Sequence, residues 1–421
     1  MLVNRHRLIQ LLSHQDARVR DASVHALERF FSGSPGIIEY ILQSIKVFRD
    51  DCLSLVAGIK HFTPSINDVQ EIVSIINETD KHRDENSLNI YFHLTQSFLS
   101  FPFEILTKNR NIFSFNKELT KLYEILQNRD GFKKQDPKHL WNELTGFCSQ
   151  HHDKPVEGEN VQYAQLLLEA LSQYGDQIKG KIVVLLSQEK PENYLLNEYM
   201  VDLAGRLKLE QTVPYLFRIL QESDFMHTVH SLCIRTLGNI GTKEVVKEIE
   251  DLYYSNQSLK TAFADILKYI PYDYAEDLAI QLIKEEKDVS AKTFLACALC
   301  DMFSLKGIAT IKDMIKVRSY DSGITTLADD LIPVDVYHNE SLDELLVLEA
   351  TSKKHEREQL QNDSLYQMGQ ELQKHLDFPK TVHGKTQKKA LPDNQKAENV
   401  ISLKKERNKR KRKHKKKKKK K

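Results

Sequence analysis

Apolar residues recur every three or four positions through most of this chain, the spacing that gives a helix one buried face. Residues 8–31, LIQLLSHQDARVRDASVHALERFF, carry Leu8, Leu11 and Leu12 on one predicted helix. Val19, Ala22, Ala26, Leu27 and Phe30 lie on the next. The unit then repeats. Four stretches overlay: LAGRLKLEQTVPYLFRIL (203–220), TLGNIGTKEVVKEIEDLY (236–253), ILKYIPYDYAEDLAIQLI (266–283) and LCDMFSLKGIATIKDMIK (299–316). ALSQYGDQIKGKIVVLL (170–186) is an earlier copy. Each closes one helix on apolar residues, breaks for a few positions and opens a second amphipathic helix. The closing anchors Tyr174, Leu207, Ile240, Ile270 and Phe303 are spaced by 33, 33, 30 and 33 residues. Phe62 follows Phe30 by 32. A steady period near 33 with helical spacing predicts stacked helix pairs.

The breaks have matching chemistry. Gly238 and Gly241 flank one predicted helix end, where glycine tolerates a left-handed backbone. Thr212 with Pro214, and Thr242 ahead of Val245 and Val246, stand where an N-cap and a first turn belong. The motif D-x-x-V-R-x-x-A-x-x-A-L, here Asp16, Val19, Arg20, Ser23, Ala26 and Leu27, resembles the HEAT-repeat family in its short bacterial-style form. L-G-x-I-G at Leu237, Gly238, Ile240 and Gly241 is a second match. The likeness spans about residues 5–75 and 160–330. It implies an all-α fold, an α-solenoid of HEAT-like helix pairs. It also implies that Asp16, Arg18 and Arg20 link neighbouring units by charge-assisted hydrogen bonds.

The expected organisation has five parts: N-terminal repeats over 1–100, an irregular helical segment over 101–160 and the main array over 161–335. Capping helix or helices follow over 336–376, then a disordered linker and basic tail over 377–421. The irregular segment is aromatic-rich, with Phe101, Phe103, Phe113 and Phe115, and has helical patterns at 116–128 and 137–149, the second with Trp141. HDKPVEGEN (152–160) reads as a loop, and the array ends after Pro333. Ser341 with Glu344 forms a capping-box pattern. From Asp377 to Ser402, Pro379, Gly384 and Pro392 among polar residues argue for disorder.

Composition agrees. Gly (15) and Pro (11) are too sparse for a turn-rich β fold. The longest apolar runs, such as Phe294–Cys300, are too short to cross a membrane. Five sparse cysteines and a polar N-terminus without signal-peptide character point to an intracellular, cytoplasmic protein with reduced thiols, or a nuclear one in a eukaryotic host.

Candidate chemistry is thin. Cys297-x-x-Cys300 lies in the apolar stretch FLACALC, where core packing is the expected role. Cys148, His151, His152 and Asp153 lack a second ligand group at metal spacing. His355-Glu356 is the sole His-Glu pair, whereas HEAT-like di-iron hydroxylases carry several. No phosphate-binding glycine motif or nucleophile elbow is present. No catalytic, cofactor or metal residue is therefore assigned.

Charge changes the picture. The chain holds 61 basic and 59 acidic residues. Fifteen of the basic ones fall in the last eighteen residues, beside one acid, Glu406. They are Lys404, Lys405, Arg407, Lys409, Arg410, Lys411, Arg412, Lys413, Lys415, Lys416, Lys417, Lys418, Lys419, Lys420 and Lys421. The tail thus carries +14, and residues 1–403 carry −12. So dense a cationic run binds polyanions by releasing counterions. It has no aromatic residue for stacking on bases, so binding should be blind to sequence. RNA, ribosomes and DNA are the expected targets; acidic proteins and anionic lipids share the chemistry. The expected function is a non-enzymatic scaffold whose groove takes a protein or peptide and whose tail tethers it to nucleic acid. The alternatives are a direct nucleic-acid-binding protein using groove and tail, marked by a basic stripe along the inner helices, and a HEAT-like hydrolase or lyase. HEAT-like DNA glycosylases have a basic concave face, unlike this acidic body.

Overall fold

A computed structural model describes residues 2–49, 51–79, 84–114, 116–152, 156–190, 193–224 and 227–340, with 347, 349 and 350. These residues belong to one compact unit, 1–357. They form 21 α-helices joined by short turns and 3-10 segments. Among them, β-pairing is limited to one isolated bridge between Pro35 and Thr63. The chain is all-α. The expected capping box at Ser341 and Glu344, the His355-Glu356 pair and residues 377–421 lie outside the described residues, as does Phe115.

The N-terminal helices are α1 (Arg5–Leu11), α2 (Ala17–Phe31), α3 (Ile38–Val47), α4 (Leu53–Gly58), α5 (Ile66–Thr79) and α6 (Glu85–Ser97). The middle contains α7 (Phe103–Lys108), α8 (Arg110–Phe113), α9 (Lys117–Lys133) and α10 (Pro137–His151). Then come α11 (Glu159–Ser172), α12 (Gly175–Ser187), α13 (Tyr194–Arg206), α14 (Val213–Glu222), α15 (Thr228–Ile240) and α16 (Lys243–Tyr253). The last are α17 (Lys260–Leu267), α18 (Asp273–Glu285), α19 (Val289–Asp301), α20 (Gly307–Val317) and α21 (Leu327–His338).

Side-chain caps start many of them. Asn4, Asp16, Asp84, Asn116, Asp136, Asn193 and Asp288 each accept from amides of the first turn, satisfying donors that the helix itself leaves open. Thr212 does not act this way. A 3-10 turn precedes α14, and the Thr212 hydroxyl donates back to the Leu209 carbonyl at 2.6 Å. Thr242 likewise stands at an N-cap position without a side-chain cap. Gly241 does end α15 in the left-handed region at φ +61°. Gly238 has another reason to be glycine. A Cβ there would stand 2.6 Å from Cβ of Tyr269, so helix and neighbour meet closer than alanine allows.

The helices form two layers. In one, α13, α15, α17, α19 and α21 pack broadly on each other in turn, as do α2, α4 and α6. Their partners α12, α14, α16, α18 and α20 touch one another sparingly. Glycines make the close approaches: Gly58 against Val24, Gly205 against Thr236, and Gly238 against Tyr269. The predicted anchors Tyr174, Leu207, Ile240, Ile270 and Phe303 all sit at or within three residues of the C-terminal ends of α11, α13, α15, α17 and α19.

The irregular segment keeps the stack continuous: α7 packs on α5, α9 on α7, and α11 on α9. Phe101, Phe113, Tyr123 and Phe147 are core. Phe98 meets Phe101 and Phe113 edge-on, and Tyr123 packs on Phe103 and Phe113. At the far end, Pro333 does not stop the array. It lies inside α21, which runs on to a left-handed Asn339 at φ +59°. Proline removes only one amide bond here, and the neighbouring helices hold the segment.

Buried cations seal the junctions between repeats. Arg20 is 1% exposed. It donates to the carbonyls of His14, Gln15 and Asp51 at 2.8, 2.9 and 2.8 Å and to the Asp51 carboxylate at 2.9 Å. Arg218 donates to the carbonyls of Leu186, Ser187 and Gln188. Lys260 pairs with Glu286 at 2.7 Å and Lys312 with Asp335 at 3.0 Å. The two arginines satisfy backbone carbonyls that burial would otherwise leave unpaired, and the two lysines meet buried carboxylates.

Candidate binding surface and the junction between the chain's two ends

The order of helix contacts within the unit is circular. α21 packs on α2 as broadly as it packs on α19, and α1 also touches α21. The two ends of the array therefore meet. The Asn4 amide donates to the Tyr337 hydroxyl at 2.6 Å, and the Leu2 amide to the Pro271 carbonyl at 2.8 Å. Arg7 donates to the carbonyls of Val336 and Tyr337 and to the Asn339 side chain. Arg18, expected to bridge neighbouring units, reaches Asp329 at 2.6 Å and Glu349 at 3.1 Å while holding its own Asp16 at 2.7 Å. Nothing in the 33-residue period signals a partner 311 positions away.

A cavity of about 490 Å³ opens at this junction. Arg18, Asp21, His25 and Arg29 face it from α2, Cys297 and Asp301 from α19, and Asp329, Asp330 and Pro333 from α21. Arg29 donates to the Asp301 carbonyl at 3.1 Å and its carboxylate at 3.2 Å. Burial raises the Asp330 carboxyl; the Thr325 hydroxyl partly offsets this, and the nearby Asp301 and Asp329 charges add to the rise. Burial also raises Asp21. The Cys297 thiol lies 3.8 Å from the Asp330 carboxylate and is pushed upward by burial first, then by Asp330 and Asp301. A reactive thiolate needs the reverse, a positive or hydrogen-bond-rich setting. His25 is engaged with Glu28 at 3.3 Å, which raises it.

The other cysteines are core. Cys52, Cys148, Cys233 and Cys300 are buried, and burial raises the Cys148 thiol to about 12. His151 stacks on the Phe147 ring at 4.3 Å and meets the Phe147 carbonyl at 2.9 Å through Nδ1. Among the described residues, no group of three or more His, Cys, Asp or Glu is arranged to hold a metal ion. No helix among them is long and apolar enough to cross a membrane.

The tight layer's charges decide what its surface can attract. Arg206 and Arg235 share Asp202, at 2.9 and 3.8 Å. Lys268 holds Asp265 at 2.6 Å. With Arg18 and Arg29, these cations meet carboxylates rather than presenting bare charge. Exposed apolar side chains are also present, among them Leu88 and Phe92 one turn apart on α6. The predicted polyanion-binding residues, Lys404 to Lys421, lie outside the described residues. No family model, curated protein or solved structure matches this chain.

Proposed function

We propose that the chain is a HEAT-like α-solenoid acting as a non-enzymatic interaction scaffold. Its tight helical layer takes a protein or extended peptide, and its terminal +14 segment tethers it to RNA, ribosomes or DNA. The observation that carries the groove half is the pairing of tight-layer cations with carboxylates. A duplex-binding groove offers its cations to phosphates; here the Arg206, Arg235, Lys268, Arg18 and Arg29 charges are already met. That favours a polypeptide partner over direct nucleic-acid binding by groove and tail together. The environment of Cys297 supports a binding role over hydrolysis, because burial and the carboxylate 3.8 Å from this half-buried thiol both disfavour the nucleophilic thiolate. The tail half rests on charge density alone: fifteen cations without aromatic or cysteine residues give electrostatic attraction without base reading. A cytoplasmic setting, or a nuclear one, follows from that choice of partner.

Affinity recovery from lysate tests the division of labour. The full chain and a chain ending at Leu403 are compared, each with and without nuclease. Proteins recovered in all four arms belong to the helical unit, and nucleic acid should be lost with the tail. Equal recovery of nucleic acid without Lys404–Lys421 would overturn the tethering role. Absence of any protein that survives nuclease would overturn the scaffold role.

A further inference from the structure

The α2–α21 junction is chemically unlike the α2–α4, α13–α15 and α15–α17 junctions. Those three are closed by glycines that leave no room for a methyl group. At α2–α21 the helices also pack, without such a glycine; Arg18 pairs with Asp329 at 2.6 Å and, beyond α21, with Glu349 at 3.1 Å, beside a cavity of about 490 Å³, and α1 adds the hydrogen bonds of Asn4 and Arg7. Arg29 adds its bonds to Asp301 on α19. The Arg18 and Asp329 side chains are 37% and 31% exposed. Pairs so open to water are weak and screened by salt. Connectivity differs too. The α2–α4, α13–α15 and α15–α17 neighbours are each joined through one intervening helix, so separated neighbours stay close. α2 and α21 are tied only through the rest of the array.

We propose that this junction is a releasable clasp: the circle of helix contacts opens where α1 and α2 meet α21 while the remaining junctions stay packed. In an array where each repeat leans mainly on its neighbours, such a local opening need not spread. The inference goes beyond the scaffold reading and does not depend on it. If that reading holds, opening exposes the tight layer from its end, so that a long partner can be laid in rather than threaded.

Hydrogen exchange of the full chain, followed by mass spectrometry without any partner, tests the clasp. Exchange at low salt is compared with exchange in about 1 M sodium chloride, where screening shortens to about 3 Å. Amides of α2 and α21 should exchange about threefold to tenfold faster at high salt, while those of α13 and α15 hold their rates. Arg18→Ala should bring the low-salt rates of α2 and α21 to their high-salt values and remove most of the salt response. Unchanged α2 and α21, or equal acceleration of all four helices, overturns the clasp using the unaltered protein alone. A full salt response in Arg18→Ala overturns the assignment of the clasp to this arginine. Because no partner is present, failure here leaves the scaffold test standing.

Discussion

Arg18 and Arg20 are two residues apart on one helix, and the helix turns them to opposite tasks. Arg20 points into the stack, where its guanidinium lies 4.0 Å over the Phe48 ring and its nitrogens reach three carbonyls and a carboxylate. Arg20→Ala should lower unfolding free energy by about 2–3 kcal/mol, since it strands buried carbonyls and leaves a cavity. The shift in denaturant midpoint at unchanged slope measures it. The D-x-x-V-R pattern made Arg20 legible, because its partner Asp51 lies one repeat away. Arg18 was not legible in its actual role, since local spacing carries no trace of Asp329. The thiols were legible as core residues: apolar surroundings bury them, and burial keeps them neutral. Alkylation near pH 8, followed by mass spectrometry, should leave Cys148 and Cys233 largely unmodified in the folded chain and label them only after unfolding. Burial raises both thiols, Cys148 to about 12.

Helices and their ends were read well where the period is regular. The five anchors mark the C-termini of α11, α13, α15, α17 and α19, because a chain must bury an apolar side chain where it turns back. Caps were harder. Threonine before an apolar run suggests an N-cap, yet the 3-10 turn before α14 redirects Thr212 to the Leu209 carbonyl. Gly238 looked like punctuation and is instead a packing residue. Gly238→Ala should therefore cost about 1–3 kcal/mol despite alanine's better helix propensity, because its Cβ meets Tyr269; thermal unfolding reads the sign directly. The junction between α16, α17 and α19 carries a pH signature. Burial alone would raise the Glu286 carboxyl. The Lys260 ammonium, the Asp288 amide and the Tyr253 hydroxyl outweigh it and bring Glu286 to about 2. A lowered carboxyl stabilises the fold above the unfolded glutamate range, near 4.5, and that contribution fades as pH falls toward 2. Glu286→Gln should flatten the loss of stability between about pH 4.5 and 2; an unchanged acid profile would remove Glu286 as its source.

At the scale of the whole molecule, the repeat period foretells stacking but not closure. Nearest-neighbour contacts recur every 33 residues or so and leave a periodic imprint. The contact of α2 with α21 and α19 occurs once, and its Arg18–Asp329 and Arg29–Asp301 pairs look like ordinary surface charge. The irregular segment was legible as helical but not as core, since its phenylalanines follow no period and fill the stack by mutual edge contacts. Closure also bears on function. It pairs Arg18 with Asp329 and Arg29 with Asp301, while the terminal segment holds the chain's concentrated positive charge, +14 against −12 for the rest.

That division makes one titration decisive. Affinity for a short DNA duplex is measured against salt for the full chain and for a chain ending at Leu403. The full chain should lose affinity linearly in log–log form, by roughly a thousandfold between about 50 and about 200 mM salt if about six phosphates are covered, and the shortened chain should bind negligibly. Binding by the shortened chain with the same affinity and salt slope would place the polyanion site on the helices and defeat the tether.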